Sequence, residues 1–590
     1  MKTSLRARAV VSFVACFGAL LTACQSAGAP GATSLEDGAA GEPVLYDQVL
    51  YENGRIWLDA MAADHVHAML VADGHVLAIG SEAQRLAGSH RMLASMRRVD
   101  LGGAVVVPGL QDAHGHVANL GELLETLDLS ACTSFEEVVA LVAAEAGQRP
   151  RGEWIVGRGW DQTRWPGGDF PHHAALSAAS PDHPVYLRRV DGHAALANAH
   201  ALRLAGLLGA SGAQAPVVPD PEGGVVHRDE DGAPTGVLID AAMGLVGELR
   251  PEPSREEIRR RLLAAQEALV GAGLVAVHDM SLAPAVLAEQ RRLEREGLWK
   301  LRVLGYLWAN DGMTAEIARS PGATDADPHA KIRVRGAKLM LDGALGSRGA
   351  ALFEDYHDAP GVRGHLLMEP SAFAQLLDAV VEAGLQPAVH AIGDQANRVL
   401  LDAYADRIAR DPSFVRMRPR VEHAQVVSPQ DLRRFEALGV VLSMQPTHAT
   451  SDMRWAEARL GPERVRGAYA WRRLAEDPAT LAFGSDFPVE RYAPLEGLYA
   501  ARTRRDREGN PLGGWFADQR LSAREALAAF TSGAARAVGE ESLRGHLRPG
   551  AAADFTVLDV DPVNDAAEAL LSARVLRTVI DGETVFEAGS

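Results

Sequence analysis

The 590-residue chain is too long for one ordinary domain and suits a large barrel with an accessory domain. Its composition, 47% hydrophobic and 23% charged, is that of a soluble globular protein with ample apolar residues for a core. A net charge of -18 excludes a sequence-independent grip on nucleic acid or anionic lipid, since both need clustered Lys and Arg.

Residues 1–23 predict an export signal. Lys2, Arg6 and Arg8 form a basic start, and "AVVSFVACFGALL" is apolar but too short for a comfortable membrane span. "LTAC" then ends at Cys24 and resembles the bacterial lipobox, whose cysteine carries lipid; a plain signal cut near Ala23 or Ala27 is the other reading. With Gln25 rather than Asp after the cysteine, the resemblance implies an exported protein lipid-anchored to the outer membrane, with no other membrane contact. Residues 24–43, rich in Gly, Ala, Ser and Pro, predict a flexible tether. Cys16 leaves with the signal and Cys132 stands alone, so no internal disulfide is expected.

Short alternating strands follow. "QVLYENGRIWL" carries Asn53-Gly54 and "AMLVADGHVLAIG" carries Asp73-Gly74, both hairpin signals. The far end repeats the style in "ADFTVLDV" and in "RVLRTVIDGETVFEAG", with Asp581-Gly582. These ends predict a small composite β-sandwich built from residues 44–104 and 531–590. Between them, residues 105–530 alternate strand and helix. "SREEIRRRLLAAQEALVGAG" has a capping box (Ser254, Glu257), apolar Ile258, Leu262 and Leu269 at helical spacing, and a Gly stop. The candidate strands are "AVVVPGLQ", "GLVAVHD", "LRVLGYLW", "VRGAKLML", "QPAVHAI", "RPRVEHA", "VVLSMQP" and "TLAFGSD". They predict an α/β fold, a (β/α)8 TIM barrel. A doubly wound open sheet is the alternative, without a Gly-rich phosphate loop to support it. About 150 residues separate the first two strands, far more than one connection needs, so an insert at about 120–250 is expected to fold over the barrel mouth.

Polar residues recur where these strands end. "DAHGH" places His114 and His116 two apart, so their side chains face one point, as a metal needs. Lys338, His390, His423 and Asp486 end four further apolar strands, and in a barrel such ends converge on one face. Each has an ordinary reading: Lys338 paired with Asp342, core histidines with hydrogen-bond partners, Asp486 capping a helix. All of these holding at once on one face is the less economical account.

This pattern resembles the amidohydrolase superfamily, as do the framing "VVPGLQDAHGH" and the late "LRPGAAADFTVLD". "AKLMLDGALGSRGAAL", "HAIGDQANRVLLDA", "RVEHAQ", "FGSDFPV", "GRGWDQTRW" and "VDGHAALANAHAL" are similar to its YtcJ-like branch, whose best-known activity is N-substituted formamide deformylase. Gln111 and Gly349 depart from that pattern, and Gly349 would alter substrate contacts near the fourth strand. The resemblance implies two divalent metal ions, zinc by ligand type. His114, His116 and Asp486 would hold one, His390 and His423 the second, and Lys338 would bridge them as a carbamate formed with carbon dioxide. It implies hydrolysis of a small amide by hydroxide with Asp486 as general base, and it admits a homodimer. Esterase, lactonase, deaminase or isomerase chemistry on the same site stays open, and so does a non-catalytic solute-binding lipoprotein. Trp160, Asp161, His193 and Asn198 in the insert, with His278 and His448 near strand ends, are the candidate substrate contacts.

Overall fold

The computed structural model describes residues 48–88, 96–189, 194–209, 218–221, 224–310, 330–475 and 481–589. The export signal, the tether, Cys24 and His193 lie outside the described residues. No helix among the described residues is long and apolar enough to cross a membrane.

Eight parallel strands form the core: β1 (Leu110–Gly115), β2 (Leu274–Leu282), β3 (Arg302–Trp308), β4 (Ile332–Met340), β5 (Gln386–Ala391), β6 (Arg420–His423), β7 (Val441–Met444) and β8 (Leu481–Phe483). Each pairs with the next in chain order. Parallel neighbours need crossovers, and helices such as Arg255–Gly271, Pro370–Glu382 and Asp394–Arg410 supply them. The helix Arg255–Gly271 starts at the predicted capping box, with Ser254 and Glu257 each bonded to the other's amide, and it buries Ile258, Leu262 and Leu269. The barrel closes only at its mouth, where the Asp486 amide donates to His114 O at 2.7 Å and the His116 amide to Phe487 O at 3.0 Å.

The run "AVVVPGLQ" is two strands rather than one. Val105–Pro108 pairs antiparallel with Phe555–Leu558 in a separate sheet, and only Leu110–Gly115 enters the barrel. Gly109 makes the corner between them. A Cβ there would collide with the Val275 side chain, and its amide donates to Asp554 O at 2.9 Å. Both halves are fully buried, so the run reads as one apolar strand. The two ends of the chain do share a mixed eight-stranded sheet, joined by this pairing and by the edge-on contact of Tyr51 and Phe555. Asp73-Gly74 and Asp581-Gly582 are its two-residue hairpin turns. Asn53-Gly54 is instead an irregularity inside one strand, Gln48–Ile56.

The insert builds its own six-stranded sheet from Leu127–Asp128 to Pro234–Asp240, with buried side chains on both faces. It is fastened to the helix Val117–Glu125 that follows β1: Arg149 donates to Glu125 O at 3.1 Å and Arg250 pairs with Glu122 at 2.5 Å.

Inside the barrel lies a fully buried guanidinium, that of Arg420 on β6. It donates to Ala113 O on β1 at 2.7 Å, His278 Nδ1 on β2 at 2.8 Å and Tyr306 Oη on β3 at 3.0 Å. Ser443 Oγ on β7 accepts at 3.0 Å and Glu422 Oε1, on β6 itself, at 2.8 Å. One side chain thus ties five strands together. Arg420→Met would leave Glu422 charged, buried and without its cation. A loss of about 3–5 kcal/mol is expected in urea unfolding, and much of it should return in the double variant Arg420→Met/Glu422→Leu.

Candidate metal centre

The strand ends at the mouth enclose a cavity of about 400 Å³, lined by His114, His116, Lys338, His390, His423, His448 and Asp486 among others. All six sequence-predicted ligands are therefore brought together. His448, expected as a substrate contact, joins them from the helix Pro446–Asp452 after β7. The glycine of "DAHGH" has a steric cause: a Cβ on Gly115 would strike the Phe487 ring. Gly484 is equally constrained, because its Cβ would collide with the His114 amide nitrogen and Asp112 Oδ1. Asp112 clamps β1 to the end of β8. It accepts the His114 amide at 3.0 Å, the Ser485 amide at 3.1 Å and the Ser485 hydroxyl at 2.6 Å, and burial pushes its carboxyl up to about 7. His423 and Asp486 both have left-handed backbone, at φ 76° and 62°. Non-glycine residues rarely adopt it, and it is tolerated where surrounding bonds over-determine the chain.

A second set of groups holds the imidazoles from behind. His114 Nδ1–H donates to Glu422 Oε2 at 2.7 Å, His423 Nδ1–H donates to Gln445 Oε1 at 2.8 Å, and His116 Nδ1 lies 2.8 Å from Ser281 Oγ. These bonds place Nε2 of His114 and His423 as bare lone pairs toward the cavity. His116 Nε2 and His114 Nε2 stand 2.9 and 3.5 Å from Asp486 Oδ1, and His448 Nε2 stands 3.7 Å from Oδ2. Nε2 of His390 lies 3.5 Å from Asp342 Oδ1 and, like Nε2 of His448, is buried without a hydrogen bond.

Burial lowers His114 to about 4, His390 to about 3 and His423 well below the usual imidazole value, so these rings are neutral donors. Burial alone would raise Asp486, but the surrounding His114, His116, His423 and His448 hold its carboxyl well below the usual carboxylate range. Burial also pushes Lys338 down. Asp342 does not pair with it: that carboxylate accepts the amides of Ala351, Ile392 and Gly393 at 2.8–2.9 Å. Two sets of donor atoms, His114/His116/Asp486 and His423/His448/Asp486, each lie within 4.8 Å of one another. Imidazole nitrogens gathered around one carboxylate fit a divalent cation.

The other expected contacts lie elsewhere. Trp160 is buried in the insert core and donates to Leu187 O at 2.8 Å. Asp161 pairs with Arg189 at 3.0 Å. Asn198 is fully buried, takes the amides of Val185 and Ala201, and donates to Ser180 O and His183 O. His278 sits below the mouth against Arg420. No described residue of the insert lines the cavity. Gly349 packs against Gly343 and does not line the cavity, although Ala344, Leu345 and Gly346 of the same loop do. Arg420, Glu422, Gln445 and Asp112 went unrecognised in the sequence. The signal was there in "RPRVEHA", where two charged residues alternate with apolar ones inside a buried strand.

A parallel barrel with this histidine, lysine and aspartate set at its mouth defines a metal-dependent hydrolase. The chain belongs to the amidohydrolase family, whose pattern it matches over residues 97–586. It is 30% identical to the YtcJ protein of Bacillus subtilis over 92% of this chain and 99% of that one. It is 27% identical to the N-substituted formamide deformylase of Arthrobacter pascens over 88% and 95%. The crystal structure of an uncharacterized metal-dependent hydrolase from Pyrococcus furiosus superposes with a TM-score of 0.72 at 30% identity, covering 88% of this chain and 100% of that one.

Glu422→Gln keeps the shape behind His114 but removes the charge that sets its tautomer. Metal affinity is expected to fall about 10–100-fold, measured by competition with a chelator.

Proposed function

We propose that this hydrolase cleaves the C–N bond of a small amide, an N-formyl or N-acyl amine, with Asp486 moving the proton. One observation carries the reading: the buried Asp486 carboxylate stands 2.9, 3.5 and 3.7 Å from Nε2 of His116, His114 and His448 at the mouth, in the cavity that Lys338, His390 and His423 also line. The likeness to a deformylase of N-substituted formamides supports the amide as the bond.

His114, His116 and Asp486 would hold one divalent ion, and His390 and His423 a second. Lys338 would lie between them as a carbamate. An ammonium offers no lone pair, whereas a carbamate is a two-oxygen ligand, and only the neutral amine can take up carbon dioxide. Imidazole and oxygen donors suit zinc. When bound, the ions supply a Lewis acid for the scissile carbonyl and a water acidic enough to ionise near neutral pH. Asp486 takes the proton of the attacking water on a carboxylate oxygen and returns it to the leaving amine nitrogen. Gln425 Nε2 lies 3.3 Å from His448 Nδ1, which orients the ring with Nε2 toward Asp486 and the cavity. A non-catalytic binder would have no use for an ionised carboxylate at that point.

Elemental analysis of the purified chain should find two divalent metals per molecule, and none after loading with zinc and bicarbonate would overturn the reading. Asp486→Asn should retain most of the metal and lose about 10²–10⁴-fold in turnover on a panel of N-formyl amines, N-acyl amino acids and aryl esters. Export and lipid attachment belong to the same proposal, supported by the basic start, the apolar run and "LTAC". Cys24→Ser should move the protein from the membrane fraction to the soluble fraction of expressing cells.

A further inference from the structure

Away from the imidazoles the cavity wall is apolar and acidic. Trp308, Met340, Leu345, Ile392 and Trp455 supply the apolar part. Trp455 is braced. Gly346 lies against its ring, where a Cβ would come within 3.1 Å, and the Arg459 guanidinium stands 5.8 Å over the ring while donating to Gly346 O at 3.0 Å. Trp308 is held in register with Lys338 on the neighbouring strand. The acidic part is Asp452 and Glu490. Each is oriented by a hydroxyl: Tyr469 donates to Asp452 Oδ2 at 2.5 Å and Ser451 to Glu490 Oε1 at 2.6 Å.

Among the described residues no arginine lines the cavity, and its one lysine is Lys338 at the base. The nearby arginines serve other partners or another surface. Arg491 pairs with Glu496 at 3.0 Å, Arg459 pairs with Asp358, and Arg454 lines a separate groove that shares Glu490 with this cavity. A substrate anion beside the tryptophans would lose water and face the Asp452 and Glu490 carboxylates, with no arginine or lysine of the described wall beside it on that side. A flat apolar group in the same place would bury its faces on aromatic rings, and a cationic substituent would be tolerated there.

We propose, resting on the amide reading above, that this site takes amides whose amine part is flat, apolar and free of anionic groups, and that Glu490 is the specificity residue that turns away a carboxylate. Discrimination then comes from a repulsive element as much as from contact. N-acyl amines are substrates and N-acyl amino acids are not.

The test uses the metal-loaded full chain and two amides that differ by one carboxylate, N-formyl-2-phenylethylamine and N-formyl-phenylalanine. The first is expected to have the higher kcat/KM by on the order of 100-fold. Glu490→Gln keeps an acceptor for Ser451 and removes the charge. It should narrow that ratio at least roughly 10-fold, through KM of the carboxylate-bearing amide rather than through kcat. Equal or reversed preference in the unaltered protein would overturn the inference while leaving amide hydrolysis standing. An unchanged ratio in Glu490→Gln would overturn the role of Glu490. If neither amide reacts but aryl esters do, the amide reading fails separately, and the two product amines become probes of the cavity. Inhibition of ester hydrolysis by 2-phenylethylamine and not by phenylalanine would then sustain the selectivity, and the reverse would overturn it.

Discussion

A guanidinium that cannot lose its proton, sealed inside a barrel, sets the terms for everything above it. Arg420 is wholly withdrawn from water, a cost of several kcal/mol before compensation, and its donors are directed onto five strands. Burial alone would raise Glu422. Arg420 and His114 hold it well below the usual carboxylate range, so it is ionised near neutral pH. Its second oxygen then takes the Nδ1 proton of His114. The lone pair that His114 offers the cavity is therefore decided two side chains away, by the Arg420 charge, which touches no ligand.

The same logic runs round the mouth. Asp112, Ser281 and Gln445 each spend polar atoms on positioning a histidine, and the left-handed Asp486 is tied by its amide to His114 O. The pull of the metal-binding geometry is thus distributed over the frame rather than borne by the donors themselves. Burial supplies the rest. It keeps the imidazoles neutral and drives the lysine toward its neutral form, which is the protonation pattern a cation requires.

How much of this the sequence discloses depends on the kind of residue. A histidine or lysine at the end of an apolar strand stands out because burying it unpaired is costly, so the donors at 114, 116, 338, 390, 423 and 486 are legible. Arg420 and Glu422 are two apart and so share a face of one short strand, but they neutralise each other there, and a paired charge does not stand out as a lone histidine or lysine does. Trp160 and Asn198 mislead in the opposite way. They sit in distinctive motifs, yet the insert needs a core and a helix cap of its own, and these residues provide them. The corner at Gly109 is hidden because both sheets it joins are buried, and burial on two faces erases the alternation that would mark a change of sheet.

The seam of the barrel runs through its working parts. The bonds that close the ring are made by His114, His116, Asp486 and Phe487, and His116 and Asp486 are 370 positions apart in the chain. During synthesis the first histidines emerge long before the last carboxylate, and no intermediate length of chain can present the full donor set. The candidate donor set is thereby tied to completion of the barrel: a chain cut before β8 holds neither a closed ring nor the Asp486 carboxylate, and the set is whole only once the last barrel strand is in place.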